Sequence, residues 1–155
     1  MYRSLRKKGW DYGQTATYMI TICTNYKQPF FGRIENGEVV LSKAGLIAKQ
    51  RWEAAPSIYP NVAIGAFIIM PDHVHLIVYF ERVLHPKDSG TGKFGPQSMT
   101  LGRVIAGYKA SVTSRVKPFN PRFKWQERYD DQILRSESAI QRAANYIHNN
   151  PKNVI

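Results

Sequence analysis

Short apolar and β-branched runs, separated by turn-forming residues, predict five β-strands along the chain. The predicted strands cover residues 17–24, 31–34, 38–41, 62–69 and 73–80. Asn36 and Gly37 separate the second and third runs, and this dipeptide is typical of a tight hairpin. The fourth run is apolar throughout, which favours a central strand. The short link at residues 70–72 predicts that the fourth and fifth strands are antiparallel neighbours.

Apolar positions three or four residues apart predict three helices. These helices cover residues 43–55, 100–116 and 137–150. Ser42 and Ser136 are the expected N-caps of the first and third helices. Pro56 and Pro60 are expected to end the first helix and Pro151 the third, because proline disfavours helical backbone in the residue before it.

The remaining segments complete the predicted architecture. Residues 81–98 are rich in Gly and Pro, which predicts a mobile loop whose His85 takes no part in a site. Residues 123–126 and 133–134 bracket a polar, aromatic segment that favours a short strand and a loop. The order strand, hairpin, helix, two strands, helix, helix predicts one α+β domain over residues 1–155, with helices packed on a central antiparallel sheet.

The charge of the chain favours a polyanionic partner. The net charge is +11, from 22 basic and 11 acidic residues. Nucleic acid is favoured over a membrane, because no basic amphipathic helix with an aromatic face is present. A solvated basic surface is the alternative. Cys23 is the only cysteine, so a disulfide framework is excluded, and without a signal or membrane-spanning segment a bacterial cytoplasmic protein is expected.

The first thirteen residues form a basic, aromatic arm. Its basic residues are Arg3, Arg6, Lys7 and Lys8, and its aromatic residues include Trp10 and Tyr12. Cations contact phosphates and aromatic rings stack on bases, so this mixture suits single-stranded nucleic acid. A flexible solvated tail would have the same composition.

Two histidines lie one residue apart on the strand that begins at residue 73. Because side chains alternate along a strand, His73 and His75 leave the same face, about 7 Å apart at a rise of about 3.3 Å per residue. The apolar residues that leave the other face toward the core are Val74, Leu76, Val78 and Phe80. Two imidazoles on one strand can bind a divalent metal ion and leave its other positions open. Two hydrogen-bonded or half-exposed histidines without a metal are the alternative.

The third predicted helix supplies candidate partners for the histidines. Arg142, Tyr146 and Asn150 form one stripe beside its buried face, and His148 lies on the opposite flank. A tyrosine hydroxyl ordinarily has a pKa of about 10, and a nearby cation favours the nucleophilic phenolate. Its attack on a phosphodiester would give a covalent phosphotyrosine that conserves the energy of the broken bond.

Other roles for the tyrosines remain open. A tyrosine near a helix end is often a half-buried packing residue, and the chain contains nine tyrosines. Tyr108 is a rival nucleophile on the second helix, but it lies within an apolar stripe and is expected in the core. Tyr129 and Tyr2 have no evident partner.

Several short motifs resemble one family of DNA-processing enzymes. His73-Val74-His75 is similar to the HUH motif (histidine, hydrophobic residue, histidine) of single-strand DNA nucleases. The other matching segments are Met70-Pro71-Asp72, Trp125-Gln126, Tyr146-Ile147-His148-Asn149-Asn150-Pro151, Arg3-Ser4-Leu5-Arg6 and Tyr18-Met19-Ile20-Thr21-Ile22-Cys23-Thr24. Together they resemble the HUH single-tyrosine transposases, in particular the branch associated with repetitive extragenic palindromes (REP). The resemblance spans nearly the whole chain.

The resemblance implies a ferredoxin-like α+β fold and a specific chemistry. It implies that His73, His75 and Asn150 bind Mg²⁺ or Mn²⁺ and that Tyr146 is the nucleophile. It also implies attack on single-stranded DNA beside a hairpin, which gives a 5′-phosphotyrosine link and a free 3′-OH. Many transposases of this type are homodimers, and some REP-associated members act as monomers. Two features depart from the family: the 81–98 insert, and an expected longer tail after Asn150.

Charge further predicts where DNA would bind. The arm of residues 1–13 is expected to read sequence, and the hairpin backbone is expected to meet Arg103, Lys109 and Arg115 on the second helix. Two alternatives to a transposase remain: a non-catalytic, sheet-based nucleic-acid-binding module, and a metal-dependent phosphodiesterase that uses water.

Overall fold

The computed structural model describes residues 15–81 and 100–153 of the chain. The strands are β1 (Thr15–Cys23), β2 (Gly32–Glu35), β3 (Glu38–Leu41), β4 (Val62–Met70), β5 (His73–Glu81) and β6 (Asp130–Ile133). The helices are α1 (Lys43–Glu53), α2 (Ala55–Ile58), α3 (Leu101–Val116) and α4 (Glu137–Asn149), with short 3-10 turns at Asn25–Lys27 and Asn150–Asn153. The predicted α+β class is confirmed.

The main sheet is antiparallel, with the strand order β4-β5-β1-β6, and β2 pairs with β3 in a separate hairpin. Asn36 and Gly37 both have positive φ values, 52° and 75°, as a tight hairpin of this kind requires. The hairpin and the pairing of β4 with β5 are therefore both as predicted.

Helices cover both faces of the main sheet. The larger core joins α1 and α3 to the face that carries Ile20, Val74 and Leu76. The smaller core joins α4 to the opposite face and includes Ile147 of the helix and Ile77 of the sheet. The face that carries His73 and His75 is therefore the face on which α4 packs.

β4 lies at an edge of the described sheet, so the prediction of a central strand was wrong. Its residues are nevertheless buried from both sides, because Val62 and Ile64 face the larger core and Ala63 faces the smaller one. An edge strand covered on both faces has the same uninterrupted apolar sequence as a central strand.

The helix boundaries follow local chemistry. The hydroxyls of Ser42 and Ser136 accept hydrogen bonds from the backbone N–H groups of Gly45 and Ala139, as expected of N-caps. The first helix is shorter than predicted: α1 ends at Glu53, and Pro56 lies in the first turn of the separate helix α2, where proline is tolerated. None of the described helices is both long and apolar enough to span a membrane.

Two predicted features lie outside the described residues. They are the basic arm with Arg3, Arg6, Lys7 and Lys8, and the loop with His85. Glu81, which was assigned to that loop, is the last residue of β5. The short strand expected between residues 123 and 134 is β6, and Trp125 forms only an isolated bridge with Thr24.

A glycine at the start of α1 allows the hairpin region to approach the helix closely. A Cβ atom at Gly45 would meet the carbonyl oxygen of Phe31, whereas one at Gly102 in α3 would meet nothing closer than 3.6 Å. We expect Gly45→Ala to lower the free energy of unfolding by about 1–3 kcal/mol, as overpacking does. Gly102→Ala is the matched control and should raise it by about 0.5–1 kcal/mol. Urea unfolding measures both; equal effects would contradict the proposed close packing.

Candidate active site

Two imidazoles converge at the beginning of β5. The Nε2 atoms of His73 and His75 lie 3.1 Å apart, and the ring centroids are 4.6 Å apart with the planes at 75°. The expected shared face is therefore present, and the rings turn toward each other rather than standing in parallel. Their two Nε2 atoms are close enough to share one proton or one ion.

The outer nitrogen of each ring is held by a neighbouring side chain. His73 Nδ1 lies 2.6 Å from a carboxylate oxygen of Asp72, and His75 Nδ1 lies 3.0 Å from the Thr21 hydroxyl. A carboxylate accepts, so it places a proton on His73 Nδ1 and leaves the Nε2 lone pair free. The Thr21 hydroxyl can accept from His75 Nδ1 in the same way, which would leave both Nε2 lone pairs facing inward.

Sheet register explains the position of Thr21. It lies opposite His75 across the β1–β5 ladder, just as Cys23 lies opposite His73. Asp130 lies opposite Thr21 on the other side of β1. Directly opposite residues point to the same face, so His75, Thr21 and Asp130 form one row across the sheet.

Tyr146 reaches this row from α4. Its ring centroid is 5.5 Å from that of His75, at 71° between planes, and half of its side chain (51%) is exposed. The structure thus brings together the histidine strand and the helix tyrosine, which was the main geometric expectation. An exposed phenol beside an imidazole pair is open to a substrate.

A cleft of about 590 Å³ opens between α4 and β6 in front of these groups. Its polar lining is Thr21, His75, Asp130, Asp131, Gln132, Arg142 and Tyr146. Arg142 is exposed and lies one turn before Tyr146, as predicted, with its Nη1 atom 3.3 Å from the Ser138 hydroxyl. The cleft therefore has one cationic wall on the helix and one acidic wall on the strand.

The structure does not show a direct contact between Asn150 and the histidine pair. It follows Tyr146 by one turn, is 8% exposed, and begins the 3-10 turn after α4. Among the described residues, no hydrogen bond joins its amide to His73 or His75. His148 lines a different cleft, beside Lys49 and Pro151, and so lies away from the site as predicted. The ligand role of Asn150 stays a prediction.

The electrostatic state of the histidine pair follows from burial. Desolvation, and secondarily the charge of His73, lower the pKa of His75 from its ordinary value to about 4. His75 is therefore neutral at physiological pH, and a neutral imidazole is the form that binds a metal.

Tyr108, the rival nucleophile, is enclosed in the larger core. It is 3% exposed and its hydroxyl donates to the Ala48 carbonyl oxygen at 2.9 Å. Burial raises the pKa of Tyr108 well above its ordinary value. A buried, hydrogen-bonded phenol of this kind is inaccessible to DNA, so the expected core position is confirmed.

The spacing of the two Nε2 atoms is compatible with one divalent cation. Two nitrogens 3.1 Å apart, each about 2.1 Å from one ion, subtend an angle of about 95° there, which suits octahedral coordination. Within residues 15–81 and 100–153, no three His, Cys, Asp or Glu side chains are grouped to hold a metal. Further ligands would have to be an amide, a substrate oxygen or water.

The predicted DNA-binding residues on α3 have different environments. Arg103 is exposed. Lys109 Nζ donates to the carbonyl oxygens of Gln126 and Glu127, at 2.7 and 3.2 Å, and thereby holds the 126–127 backbone. Arg115 Nη1 donates to the carbonyl oxygen and hydroxyl of Ser111. Of the three, Lys109 has a structural task that its sequence position did not reveal.

Sequence reasoning missed Thr21, Asp130 and Gln132 as members of the cleft. Thr21 was recognised as a strand residue, but the sequence held no signal for its register against His75. Asp130 and Gln132 lie in a polar stretch without hydrophobic alternation, so their strand could not be aligned with the sheet.

Comparison with known proteins places the chain in a class: an α+β domain with a transposase-type fold. It is similar to a REP-associated tyrosine transposase bound to a REP hairpin, with a TM-score of 0.61 and 16% identity, over 96% of this chain and 73% of that chain. It is also similar to a candidate transposase from Deinococcus radiodurans, with a TM-score of 0.51 and 16% identity, over 93% and 95% of the two chains. No family model matches the sequence.

A relative in sequence is an uncharacterised protein of Haemophilus influenzae, 35% identical over 158 residues that cover 96% of this chain and 87% of that protein. The chain belongs to the same family as this Haemophilus protein, and it has the fold of the REP-associated tyrosine transposases.

Proposed function

We propose that the protein is a metal-dependent, single-stranded DNA strand transferase of the transposase type, with Tyr146 as its nucleophile. The observation that carries the proposal is the contact of the half-exposed Tyr146 with His75. The solved structure with the same fold binds a REP hairpin, which supports hairpin-bearing DNA as the substrate here. The net charge of +11 suits a polyanion.

The chemistry requires one bond to form and one to break. The Tyr146 oxygen loses its proton and bonds to the phosphorus, and the bond from phosphorus to the 3′ oxygen breaks. The departing 3′ oxygen gains a proton, so the products are a 5′-phosphotyrosine and a free 3′-OH. The phosphotyrosine retains the phosphodiester energy, and attack by another 3′-OH would rejoin a strand.

The surrounding side chains would orient the reactants. Asp72 and Thr21 fix the His73 and His75 rings so that both Nε2 atoms face one point, where Mg²⁺ or Mn²⁺ would be held. Such an ion, when bound, polarises a phosphoryl oxygen and offsets the charge of the phosphate. Arg142 adds a positive charge on the Tyr146 side, which offsets the repulsion of the phosphate by Asp130 and Asp131 across the cleft.

The test is a search for the covalent intermediate. Hairpin oligonucleotides with randomised single-stranded flanks, labelled at the 3′ end, are incubated with the protein in Mn²⁺ or in a chelator. We expect a labelled protein–DNA adduct only with the metal, and a second fragment that ends in 3′-OH. Cleavage without any adduct would instead identify a phosphodiesterase that uses water. Binding without cleavage across the library would identify a nucleic-acid-binding module, and either result would overturn the proposal.

A further inference from the structure

An exposed aromatic residue lies beside the histidine end of the sheet, outside the cleft already described. Tyr26 follows β1 and is 85% exposed. Among the large hydrophobic residues that the structure describes, it has the highest exposure. Its backbone and that of Lys27 have positive φ values of 53° and 50°. Non-glycine residues rarely adopt this conformation, and two in succession mark a locally strained turn.

Hydrogen bonds hold this turn firmly to its neighbours. The N–H of the buried Thr24 donates to the Asp72 carbonyl oxygen at 2.9 Å, and its hydroxyl donates to the Gln28 carbonyl oxygen at 2.7 Å. The Asn25 N–H donates to the Lys124 carbonyl oxygen at 2.8 Å. The turn is therefore joined both to the residue that precedes His73 and to the Lys124 segment.

Two exposed lysines accompany Tyr26. Lys27 and Lys124 are both exposed, one next to Tyr26 in the chain and the other joined through Asn25. Burial raises the pKa of Cys23, opposite His73; the charge of Lys27 partly counteracts this, and the Asp72 and Asp130 carboxylates add smaller effects in the raising direction. The Lys27 ammonium thus acts near the histidine end of the sheet. Lys124 also lines another cleft with Lys109 and Lys117.

A solvent-exposed ring on a hydrogen-bonded turn, with one exposed lysine next to it in the chain and another on the bonded segment, has the composition of a base-stacking platform for a single strand. We propose that an unpaired base next to the cleaved phosphate stacks on Tyr26, while Lys27 and Lys124 contact the flanking phosphates. This proposal rests on the proposed single-stranded DNA substrate and specifies the path of the bound strand beyond the histidine site. It does not depend on the cleavage chemistry.

The turn conformation dictates the choice of variants. Asparagine tolerates positive φ better than most residues, so Tyr26→Asn removes the ring with little added strain. Tyr26→Phe and Tyr26→Trp keep a stacking surface. Leu46→Ala is the control, because it removes another exposed apolar side chain, 48% exposed, from α1 on the far face of the sheet.

Binding is measured by fluorescence anisotropy in chelator, with Tyr146→Phe in every protein so that no cleavage intervenes. We expect Tyr26→Asn to weaken binding to a hairpin with a single-stranded flank by about fivefold to a hundredfold. Tyr26→Phe, Tyr26→Trp and Leu46→Ala should stay within about threefold of the parent protein. The affinity for a blunt hairpin without a flank should not change.

Abasic scanning of the flank identifies the stacked base. One abasic position should weaken binding to the parent protein about as much as Tyr26→Asn does, and should have no further effect in that variant, because both remove the same contact. Additive effects, or unchanged binding by Tyr26→Asn, would overturn the proposal. If these binding effects are observed but the cleavage assay gives no protein–DNA adduct, the proposed function is wrong and the stacking proposal still holds.

The phosphate contacts of the two lysines are tested by the dependence of the binding constant on salt concentration. Lys27→Asn and Lys124→Gln should each reduce the slope of log K against log salt concentration by about 0.7, the value for one phosphate contact on a single strand. Lys49→Gln on α1, where Lys49 pairs with Glu53 at 3.5 Å, should leave the slope unchanged. Equal changes in all three variants would show only the general effect of net charge and would contradict the specific contacts.

Discussion

Tyr146→Phe is expected to abolish the covalent protein–DNA adduct. The substitution removes one oxygen from a half-exposed ring and keeps the ring contact with His75. Without the hydroxyl no phosphotyrosine can form, so adduct formation should fall by at least about a thousandfold, as it does when a nucleophile is lost. Denaturing gels with labelled hairpin DNA and Mn²⁺ measure the adduct.

The same chemical change elsewhere provides the control. Tyr18 lies on β1 and packs against the larger core, on the face away from the histidines. Tyr18→Phe should keep normal adduct formation. Tyr146→Phe should retain the hairpin affinity of the native protein within about threefold, since a surface substitution of this size changes free energies little. An undiminished adduct would show that another residue attacks the phosphate.

Local features of the chain were accurately predictable. Hairpin formation at Asn36 and Gly37, and helix starts at Ser42 and Ser136, depend on residues within a few positions of each other. The shared face of His73 and His75 and the stripe that carries Tyr146 each followed from one periodicity, and the resemblance to the HUH transposases implied that the two lie in one site. Once α4 is placed on the histidine face of the sheet, the alternation of the strand and the repeat of the helix are enough to bring Tyr146 near His75.

Features that depend on distant pairing were not predictable. The edge position of β4 and the row of Thr21 and Asp130 beside His75 arise from the order β4-β5-β1-β6. Hydrophobic pattern reports burial, and burial does not distinguish a central strand from an edge strand covered on both faces. The positive φ of Tyr26 likewise lies in a turn whose preceding residues, Thr24 and Asn25, bond to the distant Asp72 and Lys124, and its local sequence does not encode these bonds.

His75→Gln is expected to abolish most of the cleavage activity because it weakens metal binding. The little cleavage that is left should no longer depend on Mn²⁺. Glutamine keeps a polar side chain of moderate size at this 7%-exposed position, but it has no imidazole nitrogen to face His73. In the proposed site the Nε2 atoms of both histidines bind the ion. Loss of a side chain that merely supports a metal ligand costs about tenfold to a hundredfold in affinity, so the loss of His75 should lower Mn²⁺ affinity by at least that much. Electron paramagnetic resonance of bound Mn²⁺ measures affinity independently of catalysis.

His148→Gln is the matched control, because His148 lies on the opposite flank of α4, in a different cleft. It should bind Mn²⁺ and form the adduct as the native protein does, and thermal unfolding of both variants checks that the fold is retained. If His75→Gln kept full Mn²⁺ affinity, the histidine pair would be a structural hydrogen bond and not a metal site. If it lost the metal but kept the adduct, Tyr146 would act without the ion. Only joint loss of metal and adduct supports a single site in which the strand histidines and the helix tyrosine act on one phosphate.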